Sequence, residues 1–242
     1  MLTHREVFLP SPKDLNDPFD CRVTPNFGLL DSDDKIREYI KVVGERSRSR
    51  LAAKGQRPED FADDLFDRLK NNRDEEQENW DKVTAKAQDE RYGVFSLSGR
   101  WNSILMWGHY SACHTGFCVG FHEKKMQDSG LFGRGGLIRY NSDYPDIDPK
   151  EDYTPERGFI ETFTKAVDWK YEEEYRLFKF LKSGNKRLIT VDKSYFAELI
   201  VGLNFPEGDL PQIFDISDNL EIPVFKIVKV SRKFEIDRIK IK

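Results

Sequence analysis

Trp169-Lys-Tyr-Glu-Glu-Glu-Tyr-Arg-Leu177 is the stretch on which the interpretation of this sequence depends, and it continues into the apolar Phe178-Lys-Phe-Leu181. A glutamate run on a solvated surface would not be flanked by tryptophan and tyrosine, and a plain core strand would not carry so many charges. Residues 169–180 are therefore predicted to form a half-buried strand. Its carboxylates would be held against a ligand or against the arginine of the same segment.

Strand alternation would place Glu172, Glu174 and Arg176 on one face of this segment and Glu173 on the other. Glu174 and Arg176 could then neutralise each other as a structural ion pair, whereas a helix would pair Glu172 with Arg176. The alternative is that Glu174 is held for a ligand. Ion-pair networks and binding sites both place carboxylates in such surroundings, so both interpretations stay open.

The composition indicates one large folded domain. The chain has 242 residues, of which 38% are hydrophobic and 13% aromatic, which is enough to build a core. The net charge of −4 gives no global basic field, so nucleic acid is not an expected partner, although the basic stretch at 41–54 leaves a local patch open. No apolar run of 18 residues occurs, so no membrane partner is expected.

The cysteines indicate a reducing environment. Cys21, Cys113 and Cys118 are odd in number and follow no disulfide framework, so we expect free thiols in the cytoplasm. Cys113 and Cys118 lie near His109 and His114, but their spacing fits no zinc pattern. No metal is therefore expected.

The pattern along the chain predicts an α+β fold. We expect a single domain over residues 1–242 with a central mixed or split β-sheet, and a helical block at 31–92 inserted between sheet elements. Within the block, Ser32 or Asp33 would cap the first helix, and a polar link would span 47–58. Further helices are expected at 103–111, 156–167 and 210–217. Besides 169–180, strands are expected at 7–9, 94–98, 116–121 (buried), 137–140, 188–191, 198–202, 222–230 and 234–241.

Motifs of nucleotide-binding loops and of serine hydrolases are absent from the sequence, but three other clusters stand out. The first is Asn16-Asp-Pro-Phe-Asp20, which is dense in turn-forming residues. The second combines Phe95-Ser96 with Trp107-Gly-His-Tyr-Ser111 and Gly116-Phe-Cys118. The third is the 169–177 segment. Together, in this order, they resemble an uncharacterised bacterial family known as "domain of unknown function twenty-nine seventy-one".

The resemblance covers most of residues 7–205. Leu15, Ser111 and Tyr175 stand where that family usually has Phe, Ala and Trp. Members usually carry a further strand and helix ahead of a strand like the one at Val7, whereas this sequence starts just before it.

A weaker analogy, at the level of fold, connects the three clusters with NAD-dependent ADP-ribosyltransferases. Cleavage of the glycosidic bond of NAD develops positive charge on the ribose, which a fixed carboxylate would stabilise. By this analogy Glu174 would be the catalytic residue and NAD the substrate. The early His or Arg of those enzymes has no counterpart here. The residues expected to bind the substrate are Asn16, Asp17, Asp20, Ser96, Trp107, Tyr110, Tyr171, Glu172 and Arg176.

Two functional hypotheses follow. One is an ADP-ribosyltransferase-like enzyme that uses NAD, acting as a toxin or phage-defence effector. The other is a non-catalytic module of a bacterial defence system that senses a ligand, such as a small nucleotide, or binds a protein partner. Structural interpretations stand beside both: the 16–20 motif as a rigid turn, and Trp107 with Tyr110 as a core pair on one helical face.

Overall fold

The computed structural model describes residues 2–182 and 186–242, and the chain divides into two compact units. Unit 1 comprises Met1–Leu15, Glu90–Ser142 and Lys165–Lys242, and unit 2 comprises Asn16–Asp89 and Asp143–Thr164. Helices and strands are both abundant, which confirms the α+β class. No helix in the described ranges combines the length and apolar character that a membrane crossing needs.

Unit 2 is helical. Of the two predicted caps, Ser32 and Asp33, Ser32 is the one that caps the first helix, by accepting a hydrogen bond from the backbone N of Lys35. Apolar residues at helical spacing on the first two helices, among them Ile36, Tyr39 and Leu69, form its core. The helices are α1 Asp33–Ala53, α2 Pro58–Asn71, α3 Arg73–Arg91 (its last residues pass into unit 1) and α6 Pro155–Phe163.

The predicted polar link at 47–58 was wrong. Helix α1 continues to Ala53, because Ser47 and Leu51 keep the helical spacing and are buried. The predicted helix at 156–167 is also shorter than expected, since α6 ends at Phe163 and a strand follows.

In the described residues, unit 1 carries three further helices and the strands, apart from Thr164 at the start of one of them. The helices are α4 Ile104–Tyr110, α5 Glu123–Asp128 and α7 Leu210–Leu220. The strands are β1 Glu6–Phe8, β2 Tyr92–Ser98, β3 Phe117–Phe121, β4 Arg134–Leu137, β5 Arg139–Asn141, β6 Thr164–Ala166, β7 Glu174–Phe180, β8 Leu188–Thr190, β9 Phe196–Val201, β10 Val224–Lys229 and β11 Ile236–Lys240.

In the described residues these strands form several sheets, so the sheet is split rather than continuous. A three-stranded antiparallel sheet has the order β2-β7-β4, and a four-stranded sheet has the order β11-β10-β9-β3. The four-stranded sheet is mixed, because β9 and β10 run parallel and α7 makes the crossover between them. Strands β1 with β8, and β5 with β6, form two-stranded sheets.

Three strand predictions needed correction. Strand β3 is an edge strand, so its residues are half-buried or exposed rather than buried. The strand expected at 137–140 is two short strands separated by the buried Ile138. The strand expected at 169–180 starts only at Glu174, because Val167–Glu172 form a 3₁₀ helix and Glu173 has a left-handed backbone with φ of 44°.

Candidate functional site

A buried cluster of four charged side chains lies at the start of β7. Lys165 Nζ donates hydrogen bonds to Glu172 Oε2 at 2.6 Å and to Glu174 Oε2 at 3.3 Å. Arg176 holds the other oxygen of Glu174, with Nε at 2.8 Å and Nη2 at 2.7 Å from Oε1. All four side chains are buried, and Arg176 is fully inaccessible. Two cations and two anions therefore balance each other away from water.

Aromatic side chains complete this ion cluster. The Tyr110 hydroxyl donates a short hydrogen bond to Glu172 Oε1, and the Trp169 ring lies 4.8 Å from Lys165 Nζ. Tyr140 Oη accepts a hydrogen bond from the backbone N of Glu174 at 2.7 Å. Burial, followed by the carboxylate charges of Glu174 and Glu172, raises the pKa of Tyr140, which keeps its hydroxyl protonated.

The predicted ion pair between Glu174 and Arg176 is confirmed, with one addition. Glu172 pairs with Lys165 rather than with Arg176, and Lys165 was not among the predicted residues. The signal was a lysine inside the Phe-Thr-Lys-Ala-Val stretch at 163–167, where a charged side chain needs a partner if it is buried. Glu173 is not part of the ion cluster; its side chain pairs with Arg100 at 2.8 Å on the surface.

The other predicted residues of unit 1 are dispersed. Trp107 is buried; its Nε1 donates to Trp101 O at 2.6 Å and its ring stacks on His114. The core interpretation therefore holds for Trp107 but was wrong for Tyr110, which is 49% exposed. Tyr171 lies with its ring 6.1 Å from that of His109. Ser96 is exposed on β2, although it is the register partner of Arg176.

The predicted residues Asn16, Asp17 and Asp20 belong to unit 2. Asp17 Oδ1 accepts a hydrogen bond from the backbone N of Phe19 at 2.9 Å, and Asp17 O accepts one from Asp20 N at 3.1 Å. This side-chain turn confirms the rigid-turn interpretation of the motif. The predicted convergence of these residues with those of unit 1 stays a prediction.

Unit 1 also contains a cleft of about 330 Å³ between its two larger sheets. The three-stranded sheet contributes Leu97, Tyr175 and Leu177, and the four-stranded sheet contributes residues of β3 and β9. Because side chains alternate along β7, Glu174 and Arg176 lie on the face opposite to Tyr175 and Leu177. The predicted catalytic Glu174 therefore points away from this cleft.

Glu198 is one of two carboxylates that line the cleft, and the other is Glu123. It lies on β9 opposite Gly120, where a Cβ would come within 2.6 Å of Glu198 Cγ, so the glycine gives this side chain its room. Arg238 Nη1 donates to Glu198 Oε1 at 2.5 Å, and the Arg238 guanidinium lies 4.7 Å from the Trp101 ring. Sequence patterns gave only a weak signal for Glu198, a single charge inside the apolar run of β9.

The remaining lining is aromatic and mildly acidic. Trp101, Phe121 and Tyr175 supply rings, while Arg100 and Glu123 add one charge of each sign to that of Glu198. Cys118 also lines the cleft, and burial, with a smaller contribution from Glu198, raises the pKa of its thiol to about 11. It therefore stays a neutral thiol at physiological pH. The described residues contain no group of three or more His, Cys, Asp or Glu placed to bind a metal ion.

Comparison with protein families gives a match over part of the chain. Residues 106–177 match the family described as "Protein of unknown function (DUF2971)". The expected resemblance is thereby confirmed over the Trp107–Ser111, Gly116–Cys118 and 169–176 motifs, while the 16–20 and 95–96 motifs lie outside the DUF2971 match. No curated protein and no solved structure matches the chain. The DUF2971 segment contains all four charged residues of the ion cluster, whereas Glu198 lies beyond it.

Proposed function

We propose that this chain is a ligand-binding module whose site is the cleft of unit 1, and that its ligand carries a planar cationic ring. NAD, whose oxidised nicotinamide ring is positively charged, is the first ligand to test. The observation that carries the proposal is the carboxylate of Glu198 in a cleft wall that also presents aromatic rings.

The size of the cleft fits one ring and its sugar. Its volume of about 330 Å³ is at the lower end of the range for small-molecule pockets. A whole dinucleotide would exceed this volume, so the nicotinamide riboside half would occupy the cleft. Arg100, at the lining, would then be available to a phosphate group, although it now pairs with Glu173.

The charges favour a cation over an anion in the cleft. Glu123 and Glu198 outnumber Arg100 among the lining residues, and the faces of Trp101 and Tyr175 attract cations. Arg238 already pairs with Glu198 Oε1 and contacts the Trp101 ring, so a cationic ring in the cleft would share the Glu198 carboxylate with this arginine.

Glu174 and its partners would support this site indirectly. Arg176 and Lys165 bind both oxygens of the Glu174 carboxylate. We therefore give Glu174 a structural role rather than a catalytic one. The ion cluster fixes the start of β7, and the next residue of that strand, Tyr175, lines the cleft.

ADP-ribosyl transfer is the second candidate function, and the position of Glu198 favours it. A carboxylate in the cleft wall could stabilise the positive charge that develops on the ribose when NAD is cleaved. If the chain is such an enzyme, we propose that it acts as a toxin or phage-defence effector in the cytoplasm and that it transfers ADP-ribose to a protein acceptor.

Calorimetric titration with NAD⁺ and NADH tests the proposal, since the two ligands differ in the charge of one ring. We expect NAD⁺ to bind about tenfold more tightly than NADH, and Glu198→Gln to remove this difference. Glu235→Gln is the matched control, because Glu235 is exposed and pairs only with Lys233 at 3.7 Å among the described ion pairs. Equal affinities of wild type for both ligands, or no binding of either, would overturn the proposal.

Release of nicotinamide from NAD⁺, followed by chromatography, tests the second candidate. Turnover by wild type that is lost in Glu198→Gln supports the enzyme. NAD⁺ binding without turnover refutes it and leaves the binding module standing.

A further inference from the structure

Unit 2 contains a separate groove, which we call the α3 groove. It has a volume of about 700 Å³ and is bounded by one face of α3, by residues 19–26 and by residues 144–146. On the helix side it is lined by Gln77, Asp81, Ala85 and Gln88, which recur every three or four residues and so share one face. Ala85 is the smallest of the four and leaves room in the middle of the groove.

At one end of the α3 groove, the polar side chains are hydrogen-bonded to each other and to the backbone. Gln77 Nε2 donates to Asp81 Oδ1 at 2.8 Å, and Thr24 Oγ1 donates to the same oxygen at 2.7 Å. Gln77 Oε1 accepts from the backbone N of Phe27 at 2.7 Å. These bonds fix the wall of the groove without requiring a ligand.

The other end has a buried donor without a partner. Gln88 is only 3% exposed, and in the described part of the chain its Nε2 has no hydrogen-bond acceptor. Arg22 Nη1 donates to Gln88 Oε1 at 3.5 Å, so the oxygen of the Gln88 amide faces Arg22. The Nε2 donor of the same amide is therefore left without an acceptor among the described residues. Buried donors in folded proteins are nearly always paired, so this one indicates an acceptor that comes from a ligand.

Two exposed aromatic rings line the same groove. Phe19 is 68% exposed and Tyr144 is 54% exposed, and both belong to the lining. The Tyr144 hydroxyl donates to Arg22 O at 2.7 Å, and this bond holds the ring in one orientation. Burial raises the pKa of the hydroxyl to about 12, so it stays protonated and remains a donor. Exposed rings of this kind stack well on planar ligands.

We propose that the α3 groove binds the base of a free nucleoside, with a ring carbonyl oxygen accepting the hydrogen bond from Gln88 Nε2 and the ring plane against Phe19 or Tyr144. The base is thus of the carbonyl-bearing kind, such as uracil or guanine. Asp81 and Asp146 line the groove, and Lys82 and Arg22 are paired with Glu78 and Asp89. This charge pattern disfavours the phosphate backbone of a nucleic acid.

NMR titration of the full chain with uridine, guanosine and adenosine tests the proposal, because adenine has no ring carbonyl. We expect saturable shifts at the amides of Phe19, Tyr144 and Gln88, with uridine and guanosine about tenfold tighter than adenosine. Gln88→Met should weaken uridine about tenfold and leave adenosine unchanged. Lys86→Met is the matched control, since Lys86 is an exposed neighbour on α3 outside the groove.

The melting temperature of Gln88→Met shows that the variant is folded. Methionine removes the unpaired donor together with the long 3.5 Å bond that Gln88 Oε1 accepts from Arg22 Nη1, but Arg22 keeps its bonds to Ala85 O and Asp89 Oδ1, so we expect a melting temperature close to that of wild type. The proposal is overturned by a folded wild type without saturable uridine or guanosine binding, by equal affinities of wild type for uridine and adenosine, or by unchanged uridine affinity in Gln88→Met. Binding of a single-stranded oligouridylate more than tenfold tighter than uridine would also overturn it, in favour of nucleic acid.

Discussion

Replacing Glu174 by Gln should destabilise the protein markedly, because it removes the charge that compensates Arg176. In the native protein Glu174 Oε1 lies 2.8 Å from Arg176 Nε and 2.7 Å from Nη2, and Oε2 lies 3.3 Å from Lys165 Nζ. In the variant the ion cluster changes from two cations and two anions to two cations and one anion, while Arg176 stays fully buried.

The magnitude follows from the burial of the pair. Removing one partner of a buried ion pair costs about 3–5 kcal/mol, since the other charge is left uncompensated. Glutamine keeps one carbonyl oxygen that can still accept from Arg176, so we expect the lower end, about 3 kcal/mol. For a chain of this length, that corresponds to a melting temperature about 6–12 °C below that of wild type.

Urea unfolding followed by tryptophan fluorescence measures the effect, since Trp101, Trp107 and Trp169 all lie in unit 1. The matched control is Glu173→Gln, one residue earlier in the chain. The Glu173 side chain is 53% exposed and pairs with Arg100 on the surface, so its loss should cost at most about 1 kcal/mol.

A Glu174→Gln variant as stable as Glu173→Gln would refute this reasoning. It would mean that the ion cluster contributes nothing to the free energy of unfolding. The carboxylate of Glu174 would then need an explanation in ligand binding, and the structural role assigned to it above would fall.

Three further variants or measurements test other contacts. Gly202→Ala should destabilise unit 1 by several kcal/mol or prevent its folding, because a Cβ there would lie 2.1 Å from the backbone O of His114; thermal melting measures this. Gly44→Ala should instead raise the free energy of unfolding by about 0.5–1 kcal/mol, because this helical position has no atom within 4 Å of the new Cβ and alanine lowers the entropy of the unfolded chain. Cys118, with a pKa of about 11 raised from 9.0, should react with a thiol reagent at pH 8 at least about 100-fold more slowly than the exposed Cys113, measured by mass spectrometry of the labelled chain. Because the pKa of Cys118 is higher in the folded than in the unfolded protein, its contribution to stability is complete below pH 9 and is lost as the pH rises through 11.

Local pattern was sufficient for several features of this protein. The helix cap at Ser32, the side-chain turn at Asp17 and the pairing of Glu174 with Arg176 each join residues two or three apart. Spacing was therefore enough to predict each contact, although it left Asp33 as a second candidate for the cap and a ligand as a second partner for Glu174. The separation of Glu174 from Glu173 was also predicted correctly, although the left-handed turn at Glu173 precedes the strand rather than lying within it.

Boundaries and partners distant in the chain required the tertiary structure. Lys165 joins the ion cluster because the 3₁₀ turn after it brings Glu172 and Glu174 back to its side chain. No periodicity in the sequence predicts that return. Strand β3 likewise has an apolar sequence typical of a buried strand, yet its position at a sheet edge leaves it half-exposed.

The two candidate sites depend on contacts between residues far apart in sequence. Glu198 lies in the cleft because the register of β3 with β9 sets it opposite Gly120, and Gln88 lies beside Arg22 across 66 positions. The sequence by itself determined the α+β class, the charged faces and the local caps and turns, since these depend on neighbouring residues. Only the tertiary structure decided which carboxylate faces a cleft, because strand register and packing select the partners of each face.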